Sequence, residues 1–247
     1  VMTATPIPRT VAITVFGDLD ISTLTELPLG RAPIATHLVN AMTKPAFLER
    51  AWQRIREEVA AGHQAYVVAP RISSESAEDA DIDFLFGTES TDLNSVAELA
   101  PKLSNGPLKG LKIALLHGKL APEEKEAAMQ AFSDRKLDVL VSTSVIEVGV
   151  DVPNATVMVI MDADRFGISQ LHQLRGRVGR GEAPGLCLLV TSVAEDSPAY
   201  ERLNAVAGTL DGFELARIDL EQRREGDVLG IAQSGTRSHL KLLRVLR

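Results

Sequence analysis

Six short runs of apolar, mostly β-branched residues recur along this 247-residue chain, and stretches of helical periodicity separate them. The runs are Ala35 to Val39, Ala65 to Ala69, Ile113 to His117, Val139 to Thr143, Val157 to Met161 and Leu186 to Thr191. A strand covered on both faces has no polar side, so it reads as a continuous apolar run and not as an alternation. Strands of that kind, alternating with helices, require βα units and a parallel sheet with helices packed on it. The intervening segments agree. Leu48, Trp52, Ile55 and Val59 recur at helical spacing, which makes Trp52 a core residue and not a stacking platform for bases. Pro122 suits a first helical turn ahead of Glu123 to Glu126, and Met129 and Phe132 then face inward.

Two segments depart from the alternation. Between Ser73 and Pro101 the chain has eight acids and neither Lys nor Arg. The wider stretch 73–110 is rich in Ser, Asp, Glu, Gly and Pro, so it is expected to be a long flexible acidic insertion. After Thr191 the strand pattern stops. From Ser197 the chain turns helical and then becomes a Gly-punctuated, Arg-rich tail. The expected organisation is therefore an α/β lobe over residues 1–196 with an appended element over 197–247, a division that a chain of this length can support.

Charge and composition narrow the function. The formal charge of −7 argues against a protein that coats nucleic acid by bulk electrostatics. Its distribution says more, because Arg165 to Gly181 holds four arginines and no acid. With 4% aromatic residues, contact with nucleic acid is expected through phosphates and not through base stacking. The single cysteine, Cys187, sits in the buried-strand pattern Leu186 to Val190, which indicates neither a disulfide nor a thiol nucleophile. The five histidines are scattered, and no metal site is expected. No apolar run is long enough to span a bilayer and no charged-then-apolar leader opens the chain, so a cytoplasmic location is expected.

The chemistry concentrates in Gln170-Leu-His-Gln-Leu-Arg-Gly-Arg-Val-Gly-Arg180. Two arginines, each preceded by glycine, stand three residues apart behind a glutamine. Guanidinium is planar, always charged and able to donate two parallel hydrogen bonds, which suits the charge that builds on a departing γ-phosphoryl group. On a helix Gln173 and Arg177 share a face, Arg180 follows near its end, and Leu171, Leu174 and Val178 form the buried stripe. Ser169 is the expected cap. Arg175 has a different bearing and is expected at the surface or in a salt bridge. Taken alone, the same run also reads as a solvated basic face closed by a glycine turn.

A second candidate lies where Thr143 and Ser144 end a strand and open a helix, at the strand end where parallel α/β sheets gather their ligands. Hydroxyls and backbone N–H groups there suit a nucleic-acid phosphate, and they equally suit a plain helix cap. Gly149 permits close backbone approach, and Asp151 offers a carboxylate to a ribose hydroxyl. The sequence contains no G-x-x-x-x-G-K-[ST] loop and no Asp-Glu pair of the magnesium-binding type. The chain is therefore not expected to hold ATP by itself in the usual way.

These segments resemble, in order, the third, fifth and sixth motifs of superfamily two helicases: Met2-Thr-Ala-Thr-Pro-Ile-Pro-Arg-Thr10, Val141 to Pro153, and the arginine run. The resemblance implies the second RecA-like lobe of a helicase motor, a three-layer parallel-sheet fold of the P-loop NTPase type. It implies that Arg177 and Arg180 contact ATP phosphates across an interdomain cleft, that Gln173 couples this contact to motion, and that Gly149 and Asp151 line the nucleotide edge. Thr3 and Thr5 would link hydrolysis to strand movement, and Thr143 would touch nucleic acid. The ATP and its Mg²⁺ would be held mainly by a preceding lobe.

The family narrows further. Gly17-Asp-Leu-Asp20, Glu26 to Arg31 and Leu116-His-Gly-Lys119 look like RecG-type translocases, which remodel stalled forks and branched DNA. The tail segments Asp211-Gly-Phe213, Asp219-Leu-Glu221, Gly226 to Gly230 and Gln233-Ser-Gly235 resemble the translocation motif, a helical hairpin and loop, that this family shares with Mfd-type motors. On that motif Arg202, Arg223 and Gln233 take the polar positions. Arg224 stands where the family usually has glycine. The implied protein is a monomer with a preceding RecA-like lobe and a wedge domain, acting on forked DNA, and the chain is expected to be a fragment of it. An Mfd-type motor, or a non-catalytic module binding DNA or its partner lobe, are the competing readings.

Overall fold

The computed structural model describes residues 33–70, 96–118, 120–143, 152–212, 214–215 and 217–219. Six strands form one parallel sheet: β1 Ile34–Asn40, β2 Gln64–Val68, β3 Ile113–Leu116, β4 Val139–Ser142, β5 Ala155–Ile160 and β6 Gly185–Thr191. Their order across the sheet is β1-β6-β5-β2-β4-β3, and every neighbouring pair runs parallel. All six expected strands are present. The central strands β2, β4 and β5 are buried at every position, while edge strand β1 alternates between exposed and covered residues. That is why the central runs carry no polar periodicity.

Helices cover both faces. One face packs α1 (Pro45–Ala60) and α2 (Val96–Asn105) through Ala51, Trp52, Ile55, Val96, Leu99 and Leu103. The other packs α3 (Pro122–Ser133), α4 (Ile168–Arg175) and α5 (Pro198–Gly208), with Phe132, Leu171, Leu174 and Leu203 against Tyr66, Leu140, Met158 and Cys187. Phe132 and Tyr66 meet with ring centroids 5.0 Å apart at 55°, an aromatic contact that ties α3 to the middle of the sheet. Trp52 is 8% exposed and belongs to the core, as its spacing implies. These are the three layers expected of a RecA-like lobe.

Two expectations change. The flexible insertion does not extend to residue 110. Val96, Leu99, Ala100 and Leu103 stand at helical spacing, and all are buried against β3 and β4 as α2. Leu108 is buried behind them, and Arg56 on α1 holds the following turn by donating to the carbonyls of Pro107 and Lys109. Residues 71–95 lie outside the described residues. The second change concerns Ser197. Its hydroxyl caps α5 by accepting from the Tyr200 N–H at 3.2 Å, but α5 packs on β1 and α4 with Leu203 and Val206 in the shared core. The shift of pattern there marks a helix that closes this lobe.

Candidate functional site

Helix α4 leaves the carboxyl end of β5 through a 3-10 turn, Ala163–Arg165, and delivers the chain to the amino end of β6. The arginine run is therefore built at the amino edge of the sheet. The helix stops at Arg175, and Gly176 caps it by donating to the carbonyl of His172 at 3.1 Å. Gln173 and Arg177 thus do not lie along one helix. Gln173 is half-buried on α4, whereas Arg177 follows in a turn with its N–H on Leu174 O at 2.9 Å. Ser169 is the second helical residue and not the cap. Gly167 occupies the cap position, and Gln170 Oε1 accepts its N–H at 3.1 Å.

Glycine fixes where the arginines go. Gly179 has φ +66°, a conformation that L side chains rarely adopt. It lies back to back with Gly185 at the start of β6, and a Cβ on Gly179 would come within 2.9 Å of Ile34 Cγ1 at the start of β1. Gly181 is seated on the turn before β5, where a Cβ would lie 2.7 Å from the carbonyl oxygen of Pro153. Between these contacts Val178 is fully buried in the core, as the expected stripe with Leu171 and Leu174 requires. Arg177 is half-buried. Arg180 is exposed, with Nε donating to Gly176 O at 2.8 Å. The loop that carries both guanidinium groups is therefore seated across the amino ends of β1, β6 and β5.

The loop rests on polar construction that sequence reading passed over. Gln64, 2% exposed at the start of β2, donates from Nε2 to Phe132 O and Leu137 O, both at 2.7 Å. Its Oε1 accepts from Asn154 Nδ2 at 3.1 Å, and its N–H donates to Asn154 O at 3.0 Å. Asn154 Nδ2 also reaches Gly62 O at 3.0 Å. The register between β2 and β5 shifts here, because Gln64 pairs with Ala155 and Ala65 with Val157. Thr156 is the extra residue of this bulge, and its hydroxyl donates to Glu58 Oε2 at 2.7 Å. Burial opposes the charge on Glu58, but the hydrogen bonds from Thr156 and His63, together with Arg54, outweigh it and hold the carboxyl below its usual range. The only sequence sign of this network is a polar residue at the first position of an otherwise apolar strand.

At the opposite edge, Thr143 follows β4 with its N–H on Leu116 O at 3.2 Å. It is 7% exposed, and its hydroxyl has no hydrogen-bond partner among the described residues. Asp162, at the carboxyl end of β5, adopts a left-handed conformation with φ 46° and ψ 50°. Burial and the neighbouring Asp164 push its carboxyl above the usual range, with Arg165 working the other way.

Arg175 is not at the surface. It is 2% exposed, and Nη1 donates to Val206 O at 2.7 Å and Thr209 O at 2.8 Å, so it caps the carboxyl end of α5. Burial pushes its guanidinium below the ordinary arginine value, against the nearby Cys187, whose own thiol is pushed up to about 12 by complete burial. Arg202, on α5, donates to Asp164 O in the turn that precedes α4. Burial lowers its guanidinium too, with Asp164 and Asp219 opposing. The expected residues Thr3, Thr5, Gly149, Asp151, Arg223 and Gln233, and the substitution of glycine by Arg224, lie outside the described residues. Among the described residues no group of three or more His, Cys, Asp or Glu is placed to hold a metal ion, and no helix is long and apolar enough to cross a membrane.

The chain is similar to known proteins. Residues 50–182, more than half of the chain, match the helicase conserved C-terminal domain. The ATP-dependent DNA helicase RecG of Mycobacterium tuberculosis is 61% identical over 244 residues, which cover 98% of this chain and 32% of that protein. RecG of Synechocystis is 47% identical over 234 residues, covering 95% of this chain and 26% of the relative. A solved structure of RecG bound to a three-way DNA junction superposes with a TM-score of 0.66 at 40% identity, over 91% of this chain and 27% of that one. The chain thus spans about a third of the length of the M. tuberculosis relative. On its sequence, its parallel sheet and its arginine loop, the chain belongs to the helicase conserved C-terminal domain family, among relatives that bear the name RecG.

Proposed function

We propose that this lobe is the second motor lobe of a RecG-type, ATP-dependent double-stranded DNA translocase that remodels stalled forks and other branched DNA. The observation that carries the reading is the seating of the arginine loop. Gly179 on Gly185, and Gly181 on Pro153, seat the chain that bears Arg177 and Arg180 along one sheet edge, beside the turn at 152–154. The residues fit a polyphosphate: both groups are guanidinium, and the main chain that carries them is fixed before any ligand arrives. ATP, when bound between lobes, supplies the γ-phosphoryl transfer to water. This chain's part is to neutralise charge on the departing group through Arg177 and Arg180, with Gln173 on α4 relaying loop position to the helix.

The nucleotide and Mg²⁺ are assigned mainly to a preceding RecA-like lobe, because this chain has neither the phosphate loop nor the paired acids. Thr143, at the opposite edge, is assigned to a DNA phosphate, with Arg202 on α5 and Arg223 and Gln233 in the translocation element that follows this helix, and Thr3, Thr5, Gly149 and Asp151 in coupling and nucleotide contact. The full protein then acts in the cytoplasm as a monomer, with a wedge domain at the branch point. In a full-length protein carrying this lobe, Arg177→Ala or Arg180→Ala is expected to lower DNA-stimulated ATPase by about 10³- to 10⁵-fold, the usual worth of an arginine finger. Wild-type turnover in both variants contradicts the reading.

A further inference from the structure

We propose that Gln64 is a positioning residue for the arginine loop, acting through Asn154 and the turn before β5. The inference rests on the nucleotide-facing role assigned to Arg177 and Arg180. Gly181 sits on the carbonyl of Pro153, so the loop can be no better placed than that turn. Apolar packing alone does not hold the turn: Val152 is buried, but Asn154 is held by hydrogen bonds and the Ala155 N–H closes the turn on Val152 O. Gln64 joins three separate pieces of chain there. Its amide donates to the carbonyls of Phe132, in the last turn of α3, and Leu137, ahead of β4, while its oxygen and its backbone N–H both engage Asn154. Asn154 in turn is pinned to Gly62 in the α1–β2 turn.

A glutamine in this place is unexpected on packing grounds. The first position of a fully buried strand favours an aliphatic residue, and a buried amide is tolerated only when its hydrogen bonds are met. Here the donors and the acceptor are all used, which makes the side chain a rigid strut. The adjacent bulge points the same way. Thr156 is the extra residue, and Glu58, with Arg54 and His63 on the same carboxylate, holds it in place. The amino end of β5 is thus aimed by polar contacts on both sides of the bulge, and the consequence falls on the geometry of Pro153, Gly181 and Arg180. Displacing a catalytic group by about 1 Å can cost about 10²-fold in rate.

The test uses a full-length protein carrying this lobe and measures kcat and KM for ATP in the presence of DNA, together with DNA affinity and the thermal midpoint. Gln64→Met keeps the volume and removes every side-chain hydrogen bond. Asn154→Ala removes the side-chain links of the turn to Gln64 and Gly62 at a half-exposed position and carries the test if Gln64→Met does not fold. Both are expected to lower kcat about ten- to a hundred-fold with DNA affinity unchanged, and the double variant is expected to be no worse than the poorer single one. Ile55→Val, a core change on α1 that leaves every one of these hydrogen-bonding groups in place, is expected to leave kcat unchanged. Unchanged kcat in Gln64→Met and Asn154→Ala, with Arg177→Ala inactive, overturns this inference alone. An equal loss in Ile55→Val overturns it as well, because the effect is then one of general stability. Full activity in Arg177→Ala and Arg180→Ala overturns the role on which it stands.

Discussion

At the scale of single residues, the lobe places two carboxylates in opposite electrostatic circumstances. Glu58 keeps its charge because Thr156, His63 and Arg54 face it, so its contribution to stability is present at neutral pH and is lost as pH falls through its lowered folded value. Asp162 has the reverse sign. Burial and Asp164 raise it, so the favourable contribution of its neutral form is present at low pH and is lost as pH rises through the raised folded value. It also has a positive φ, which asparagine tolerates as well as any non-glycine residue. Asp162→Asn is therefore expected to stabilise the protein at neutral pH, by less than about 1 kcal/mol because the side chain keeps part of its solvent access. Urea midpoints measured at neutral and weakly acidic pH check this: the gain should shrink as pH falls, and a loss at neutral pH contradicts it. Arg175 shows what no local pattern reveals. A long cation followed by glycine reads as a surface residue, yet the carbonyls that receive it come from α5, some thirty residues along the chain.

At the scale of elements, the strands were legible and the helix ends were not, for physical reasons. A parallel strand buried on both faces leaves an uninterrupted apolar run, so all six strands stand out in sequence. The end of α4 was hidden because Leu171, Leu174 and Val178 remain on the buried side even though the helix stops at Arg175. The turn through Gly176 carries Val178 into the same core. Helix α2 was hidden by its surroundings: an acidic segment precedes it and Pro101 lies within it, so composition spoke for a loop while the spacing of Val96, Leu99 and Leu103 spoke for a helix. Its core contacts give a direct check. Leu103→Ala is expected to cost about 2 to 5 kcal/mol in chemical denaturation, as for other buried leucines. A change below about 0.5 kcal/mol would remove α2 from the lobe. Helices α4 and α5 are tied at two points, by Arg202 on Asp164 O in the turn before α4 and by Arg175 on Val206 O and Thr209 O.

At the scale of the whole molecule, the sheet holds the two candidate sites at opposite edges. Thr143 lies at the carboxyl edge, where ligands of parallel sheets usually gather, while the arginine loop lies at the amino edge. The arginine run and Thr143 stand out in sequence, but their distribution over opposite edges does not, because it depends on how far α4 carries the chain back across the sheet. Gly181 tests the seating of the loop. Gly181→Ala places a methyl group 2.7 Å from Pro153 O, a backbone atom that cannot swing aside. In the full-length protein it is expected to cost at least about tenfold in DNA-stimulated ATPase, with a modest loss of thermal midpoint; unchanged turnover would mean that the seat does not set the position of the arginines. The most direct measurement is a structure of the full-length protein with a non-hydrolysable ATP analogue and a model fork. A guanidinium nitrogen of Arg177 or Arg180 is expected within about 2.7 to 3.2 Å of a γ-phosphate oxygen held on the other lobe. A closed, DNA-bound complex in which both side chains turn back onto their own lobe, with the phosphates contacted from the other lobe alone, would contradict it.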